Sequence, residues 1–536
     1  MKNTVKSILL VLAAGVLLFS SCTSRFDDIN TNPNSPTPEK IEPQYMLTYV
    51  LNRSVLVVNQ YQNVQTMNTD EFSQFYANSL QKDVKLAASN YRVNDQYISN
   101  FWNDYYIYIA ELNALIRNNS DNPKFVNVVQ MARIWKCWMF QRLTDAYGDI
   151  PYFDAANGTG INPKYDLQKD IYYDMIEVLK DAASKFDENQ FNPGIQDLLY
   201  GGNNAKWVKF ANTLRLRMAM RISAVDAAKA KTEAELAINA GVISSESESA
   251  YIKFGKTGSS GTNPLAFNSG GMRMSNTAKY ILTDLGGQTW PSSIVATDAP
   301  AKVDPRGPLM FDISEGKEGT YEGRWTGTNP GLSNDDVGLP INAPESNAYI
   351  GKKFKVNENP FAILKYSETC FLLAEVALNT WSAGGSVEYW YEEGIKASMA
   401  EYEIASATVN LYLADQTANI NGTSVDYAHT VGNNNTVLDK IHTQKWIALF
   451  PENSWEAWAE FRRTNKPVML VPEYVDPAYF QAPGNNVSSN PKAFIQRLPY
   501  IQSEASNNKQ HYNDAISRLG GAEYQIQKAV WWDPNK

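Results

Sequence analysis

Apolar residues recur at three- and four-residue steps along much of this 536-residue chain, with polar residues filling the intervals. Val128, Met131, Ala132, Trp135, Trp138 and Met139 fall on one face of a helix. Trp207, Ala211, Leu214, Met218 and Ile222 do the same, as do Ile363, Tyr366, Cys370, Leu373 and Ala377. Residues 226–241 predict an alanine-rich helix closed by a C-cap glycine, and 439–450 with 455–461 predict a further pair. Paired helices with short turns predict a mainly α fold of tetratricopeptide-like hairpins, although no clean repeat period emerges from the letters.

The pattern changes between 242 and 360, where Gly, Ser, Asn and Pro dominate and helical spacing survives only around 278–285. A second irregular region covers 472–513. Both predict long loops with short strands, the kind of segment that usually carries function. The expected body is 41–536, with these two stretches forming its loop-rich, ligand-facing part.

The start of the chain follows a different rule. Lys2 and Lys6 precede an apolar run from Ile8 to Phe19, then Ser20-Ser21-Cys22. The run is shorter than the ~20 residues of a bilayer span. Residues 1–21 are therefore expected to be a lipoprotein signal peptide, with Phe19 where Leu is usual. Cys22 is expected to be the lipidated first residue of the mature chain; the alternative is a secretion signal cut elsewhere. Each buried acyl methylene would add ~0.8 kcal/mol of membrane affinity. Residues 22–40, with Pro33, Pro36 and Pro38, read as an extended tether.

Composition narrows the possibilities. Hydrophobic content of 43% and charged content of 20% describe a folded globule. Net charge is −9, and removing the leader's two lysines makes it −11. That acidity argues against nucleic acid, which requires a basic surface, and against a polybasic membrane patch. Cys137 and Cys370 lie in apolar helical patterns and are expected to be buried free thiols, a disulfide being the alternative. His429, His442 and His511 have no metal-ligand spacing, so neither a zinc enzyme nor another cofactor is expected. The 30 Tyr, 21 Phe and 13 Trp fit either a large core or rings on loops that stack on sugars.

Catalytic motifs are wanting. Gly255-Lys256-Thr257 would need a glycine five positions earlier to cradle a phosphate, and that position is Ala250. Acidic pairs such as Asp335-Asp336 are expected by chance among 57 acids, and no Gly-x-Ser-x-Gly elbow is present. No enzyme activity is expected.

The informative strings are of another kind. They are Phe26-Asp27-Asp28-Ile29-Asn30-Thr31-Asn32-Pro33, Leu143-Thr144-Asp145-Ala146-Tyr147-Gly148-Asp149, the arginine-studded Phe210–Ser223 helix, and Leu373-Ala374-Glu375-Val376-Ala377-Leu378. Later come Glu456-Ala457-Trp458-Ala459-Glu460-Phe461-Arg462-Arg463-Thr464-Asn465 and Gln496-Arg497-Leu498-Pro499-Tyr500. In this order they resemble the SusD/RagB family of nutrient-binding outer-membrane lipoproteins. Asn465 stands where that family usually has Gly; asparagine also tolerates a left-handed backbone. Arg462 and Arg463 are expected to pair with carboxylates or to cap carbonyls between helices.

The resemblance implies a helical scaffold packed on a TonB-dependent, SusC-like β-barrel transporter, for which the lipoprotein is a lid. It implies a ligand on the loop side, a glycan oligomer, on a cell's outer face. Expected ligand contacts are Trp290, Tyr321, Trp325, Tyr91, Arg92 and Arg324; for each ring the alternative is that it pins its loop to the body. Arg92 and Arg324 could donate paired hydrogen bonds. A tetratricopeptide-like lipoprotein that captures oligopeptides is the second reading, and a lipid-anchored hydrolase the third.

Overall fold

The computed structural model describes residues 41–55, 59–79, 88–157, 162–253, 272–316, 321–356, 359–482 and 489–535. The leader, Cys22, the tether and Gly255-Lys256-Thr257 lie outside the described residues. Ten main helices build the scaffold: α1 Pro43–Arg53, α2 Asp95–Asn119, α3 Val126–Tyr147, α4 Gln168–Ala183, α5 Asn204–Arg221, α6 Ala227–Ala240, α7 Tyr366–Leu378, α8 Val387–Ala400, α9 Val437–Leu449 and α10 Ser454–Thr464. From α2 to α6 each helix packs on the next, as do α7 on α8 and α9 on α10, the mainly α hairpin arrangement that the periodicity predicts. No helix among the described residues is long and apolar enough to cross a membrane.

Local chemistry sets the helix ends. The Asp226 side chain accepts the Lys229 N–H to open α6. Thr436 and Asp439 form a reciprocal capping box on α9, which therefore begins before the predicted position 439. Gly148 ends α3 at φ +76°, and an added Cβ there would come 3.3 Å from Arg497 Nη1. Asn465 takes the left-handed conformation after α10, φ +54°, so the turn survives the loss of glycine. One boundary is corrected: Ile363 belongs to the strand Phe361–Leu364, not to the helix that begins at Tyr366. Its run of four apolar residues is entirely buried, and periodicity cannot separate such a run from a helix turn.

The irregular stretches are stitched by three antiparallel strand pairs: Tyr76–Asn78 with Met272–Met274, Ala250–Ile252 with Phe361–Leu364, and Phe311–Asp312 with Tyr349–Ile350. Helix Asn276–Leu282 sits where the short helical stretch was predicted. The end of the second irregular region is corrected, since Gln502–Asn507 and Lys509–Arg518 are helical. Arg306, wholly buried, ties the loops to the scaffold. It pairs with Asp304 at 2.7 Å and donates to Ser398 of α8 at 2.9 Å and to Gln444 of α9 at 2.7 Å.

One apolar cluster of buried residues runs from Met46 to Trp532 and takes in Trp135, Trp138 and Trp207, as the helical stripes predict. Cys137 and Cys370 are buried and form no disulfide. Through the middle of this core runs a charge network. Arg217 grips Glu368 with two bonds of 2.7 Å. Arg221 reaches Glu456 at 2.5 Å and Glu460 at 3.0 Å, and Lys445 meets Glu460 at 3.0 Å. Arg463 spans Glu375 at 2.6 Å and Glu460 at 2.8 Å, while Arg462 Nη1 donates to the carbonyls of Asp145 and Gln496. Both expected roles of this arginine pair are thus present, one residue to each.

The cations hold Glu375, Glu456 and Glu460 below the usual carboxylate range, against the opposing effect of burial. Removing a partner from such a buried pair typically costs about 3–5 kcal/mol, so Arg463→Ala should lower unfolding free energy by that amount in urea titration. Other acids point the opposite way. Burial pushes Asp70, Glu71 and Glu452 up to about 7. Their stability contribution is complete below the unfolded values near 4 and is lost as pH rises through 7, whereas the network's is present above about 4.5 and lost as pH falls. The thermal midpoint should therefore peak near about pH 5, and Asp70→Asn should flatten the decline between about pH 5 and pH 7, read by thermal melts across pH.

Candidate functional site

Three irregular segments converge at the start of α2. The amide of Asp476 bonds the Asn90 carbonyl at 2.9 Å, and Asn90 Nδ2 donates to the carbonyls of Leu332 and Tyr474. The C-terminal segment joins them, with Gln496 N–H donating to the Ile526 carbonyl at 2.7 Å and Tyr500 N–H to Gln525 Oε1 at 3.1 Å. Tyr524 sits in this segment at φ +50°, a conformation that turns the chain sharply. The convergence encloses a cavity of about 650 Å³. Arg92, Asp95, Tyr479, Tyr500, Tyr512 and Tyr524 are among its lining residues.

Arg92 reaches Asp476 at 3.4 Å, and its guanidinium lies 5.3 Å from the Tyr479 ring centre. Tyr479 itself is 38% exposed, a ring held from one side with another free. Glu523 and Gln525 add polar groups to the lining, and the capped N-terminus of α2 lies at Asn94 and Asp95. The arrangement offers flat faces and hydrogen-bonding groups.

The six residues expected to contact ligand are divided between two places. Arg92 lines the cavity, while Tyr91 turns inward at φ +59° and packs on Phe480 at 4.8 Å. Burial pushes the Tyr91 hydroxyl pKa far up, and the ring has no face to give a ligand. The other four cluster together. Trp325 is 0% exposed: its backbone N–H bonds Asp298 at 2.6 Å and its indole N–H bonds the Phe311 carbonyl at 3.2 Å. The stacking role expected for Trp325 and Tyr91 is corrected on that ground; both are core rings that pin loops. Trp290 is half-buried, packed edge-on against Trp325 at 5.2 Å, with its N–H committed to the Ile294 carbonyl. Arg324 leans on Asp298 at 3.5 Å and over the half-buried Tyr321 at 5.7 Å.

Sequence reasoning missed Tyr479, Tyr512 and Tyr524; Tyr500, at the same wall, is buried with its hydroxyl on the Asp149 carbonyl at 2.8 Å and is a core ring. Tyr479 carried a signal, since it follows Pro477 within a region read as a functional loop. Tyr524 carried none, because its place beside Arg92 depends on how the C-terminus folds back.

Among the described residues one set, Glu375, His442 and Glu460, brings possible metal ligands within 4.8 Å of one another. Arg463 and Lys445 already occupy those carboxylates. Burial takes the His442 pKa down to about 4, leaving the imidazole neutral. The set belongs to the buried network.

These features define a helical-hairpin scaffold with a ring-lined cavity among its loops. A profile of SusD-like proteins, the SusD and RagB outer membrane lipoproteins, matches residues 28–533. The chain belongs to this family. No curated protein matches the sequence. Among solved structures, a SusD homologue from Parabacteroides distasonis is similar at 29% identity and a TM-score of 0.85, covering 92% of this chain and 99% of that one. A chitin-binding SusD homologue from Flavobacterium johnsoniae is similar at 26% identity and 0.76, covering 92% and 99%.

The division between core and cavity rings is measurable. Trp325→Ala should cost about 3–5 kcal/mol in chemical unfolding, and Tyr479→Ala should stay within about 0.5 kcal/mol of wild type.

Proposed function

We propose that this outer-membrane lipoprotein captures glycan oligomers in the cavity bounded by Arg92, Tyr479 and Tyr524 and passes them to a SusC-like TonB-dependent transporter. Cys22 carries the lipid, the body faces the exterior, and the lipoprotein works as the transporter's hinged lid. The carrying observation is the cavity itself. Its 650 Å³ lies within the ~300–1,000 Å³ of small-molecule sites. Its tyrosines supply flat apolar surface with a polar edge, which suits the alternating faces and hydroxyls of sugar rings.

The charge lining favours an uncharged glycan. Arg92 is partly neutralised by Asp476, and Asp95 and Glu523 add two carboxylates that would repel uronates or sulfates. The chitin-binding relative is consistent with this, since chitin is a neutral polymer.

Native electrophoresis in gels containing neutral polysaccharides, chitin oligomers as competitors, and acidic polysaccharides tests the reading. Retention by a neutral glycan should weaken roughly tenfold in Tyr479→Ala and in Arg92→Ala. Retention by acidic glycans alone, or binding confined to oligopeptides run in parallel, would refute it. Gentle solubilisation of native membranes should bring down a β-barrel partner in equal amount.

A further inference from the structure

Arg92 and Tyr479 reach the cavity from different segments, and a residue behind the wall joins both segments to the scaffold. Glu71 lies on the helical turn Asp70–Phe72 and is 2% exposed. That turn is bolted to α10. Phe72 packs on Trp458 at 5.2 Å between ring centres, and the hydroxyls of Thr69 and Ser454 lie 2.8 Å apart. Glu71 Oε2 accepts the Ser89 N–H at 2.6 Å and the Ser89 hydroxyl as well. No lysine or arginine among the described residues pairs with this carboxyl, and burial pushes it up to about 7 while the Ser89 donors hold it down. An apolar side chain would fill the same place at lower cost; what the carboxyl adds is a double grip on Ser89.

From Ser89 the hold passes to the loop that carries Tyr479. The next residue, Asn90, donates to the carbonyls of Leu332 and Tyr474 and accepts the Asp476 N–H. Gly331 stands at the crossing with φ +65°, and its carbonyl accepts the Tyr474 N–H at 2.7 Å. An added Cβ there would fall 2.6 Å from the Tyr474 carbonyl oxygen, 2.7 Å from Pro472 and 2.9 Å from the Ser89 carbonyl oxygen. Three backbones thus touch where no side chain fits. Beyond the crossing, Asp476 meets Arg92 and Phe480 packs on Tyr91, one on each side of Tyr479 in sequence. Glu71, Ser89, Asn90 and Gly331 do not line the cavity.

We propose that Glu71 is a positioning residue for the cavity. Through Ser89 and Asn90 it passes the register of α10 to the 472–482 loop and sets the spacing of Arg92 and Tyr479. Its effect on affinity rests on the glycan reading of the cavity; its effect on the loop does not. Without the grip, the two walls spend less time at the binding spacing, and apparent affinity falls by that fraction.

Hydrogen exchange and calorimetry on the full chain in detergent test this, with chitohexaose, cellohexaose and maltohexaose as neutral probes. In Glu71→Ala the Tyr474 and Asp476 amides should exchange roughly tenfold faster, with the amides of α7 and α9 unchanged. The best-held hexasaccharide should bind roughly tenfold more weakly. Glu71→Gln, which keeps an oxygen for Ser89, should stay within about threefold of wild type. Asp70→Asn, a change at the neighbouring buried acid, should leave exchange and affinity at wild-type values. Unchanged exchange of Tyr474 and Asp476 in Glu71→Ala would overturn the proposal, as would undiminished affinity or a Glu71→Gln variant as weak as Glu71→Ala. An equal loss in Asp70→Asn would overturn it too, marking a general loosening of the fold. If Glu71→Ala does not fold, Ser89→Ala, which removes one of the two bonds, decides by the same readouts. If wild type holds none of the three probes, the glycan reading falls, and the exchange comparison alone decides the role of Glu71.

Discussion

Four buried carboxylates facing four buried cations hold the scaffold in one register. Glu368 and Glu375 come from α7, Glu456 and Glu460 from α10, Arg217 and Arg221 from α5, Lys445 from α9 and Arg463 from α10. Apolar contact alone tolerates sliding of one helix over another, since any oily face satisfies any other. A two-pronged arginine does not tolerate it: shifting α5 by one turn would leave several charges buried and unpaired at once, each costing several kcal/mol. The arginine-studded helix and the Glu-x-x-x-Glu spacing of α10 therefore specify how the hairpins stack.

That rigid stack lets the loop layer be irregular. The described residues of 283–332 and 472–482 hold no long helix or strand, and side chains help to fix them to the rest of the fold. Arg306 ties them to α8 and α9, and Trp325, bonded to Asp298 and Phe311, ties one part of the loop layer to another. The loops commit Trp325 and Tyr91 to attachment, and the ring left exposed at the convergence point is Tyr479.

The helical part of this design was legible because each face repeats every 3.6 residues and the caps use familiar chemistry, as at Asp226 and Gly241. Even so, α2, the longest helix among the described residues, is not among the predicted helices, although Ile98, Trp102, Tyr105, Ile109 and Leu112 lie on one buried face. The cavity was half legible. Arg92 lines it, whereas the region read as irregular over 472–513 turns helical from Gln502. Which aromatic faces inward was not legible, because Trp290, Trp325 and Tyr479 sit in loops of similar composition. Only long-range partners such as Asp298, Phe311 and Phe480 distinguish an anchor from a platform.

The two core cysteines also bear on how the folded body meets oxidants. Burial pushes both thiols up to about 12, so the thiolate that attacks disulfides or oxidants is essentially absent from the folded body. In the folded body these sulfurs are therefore poorly placed to form mixed or mispaired disulfides.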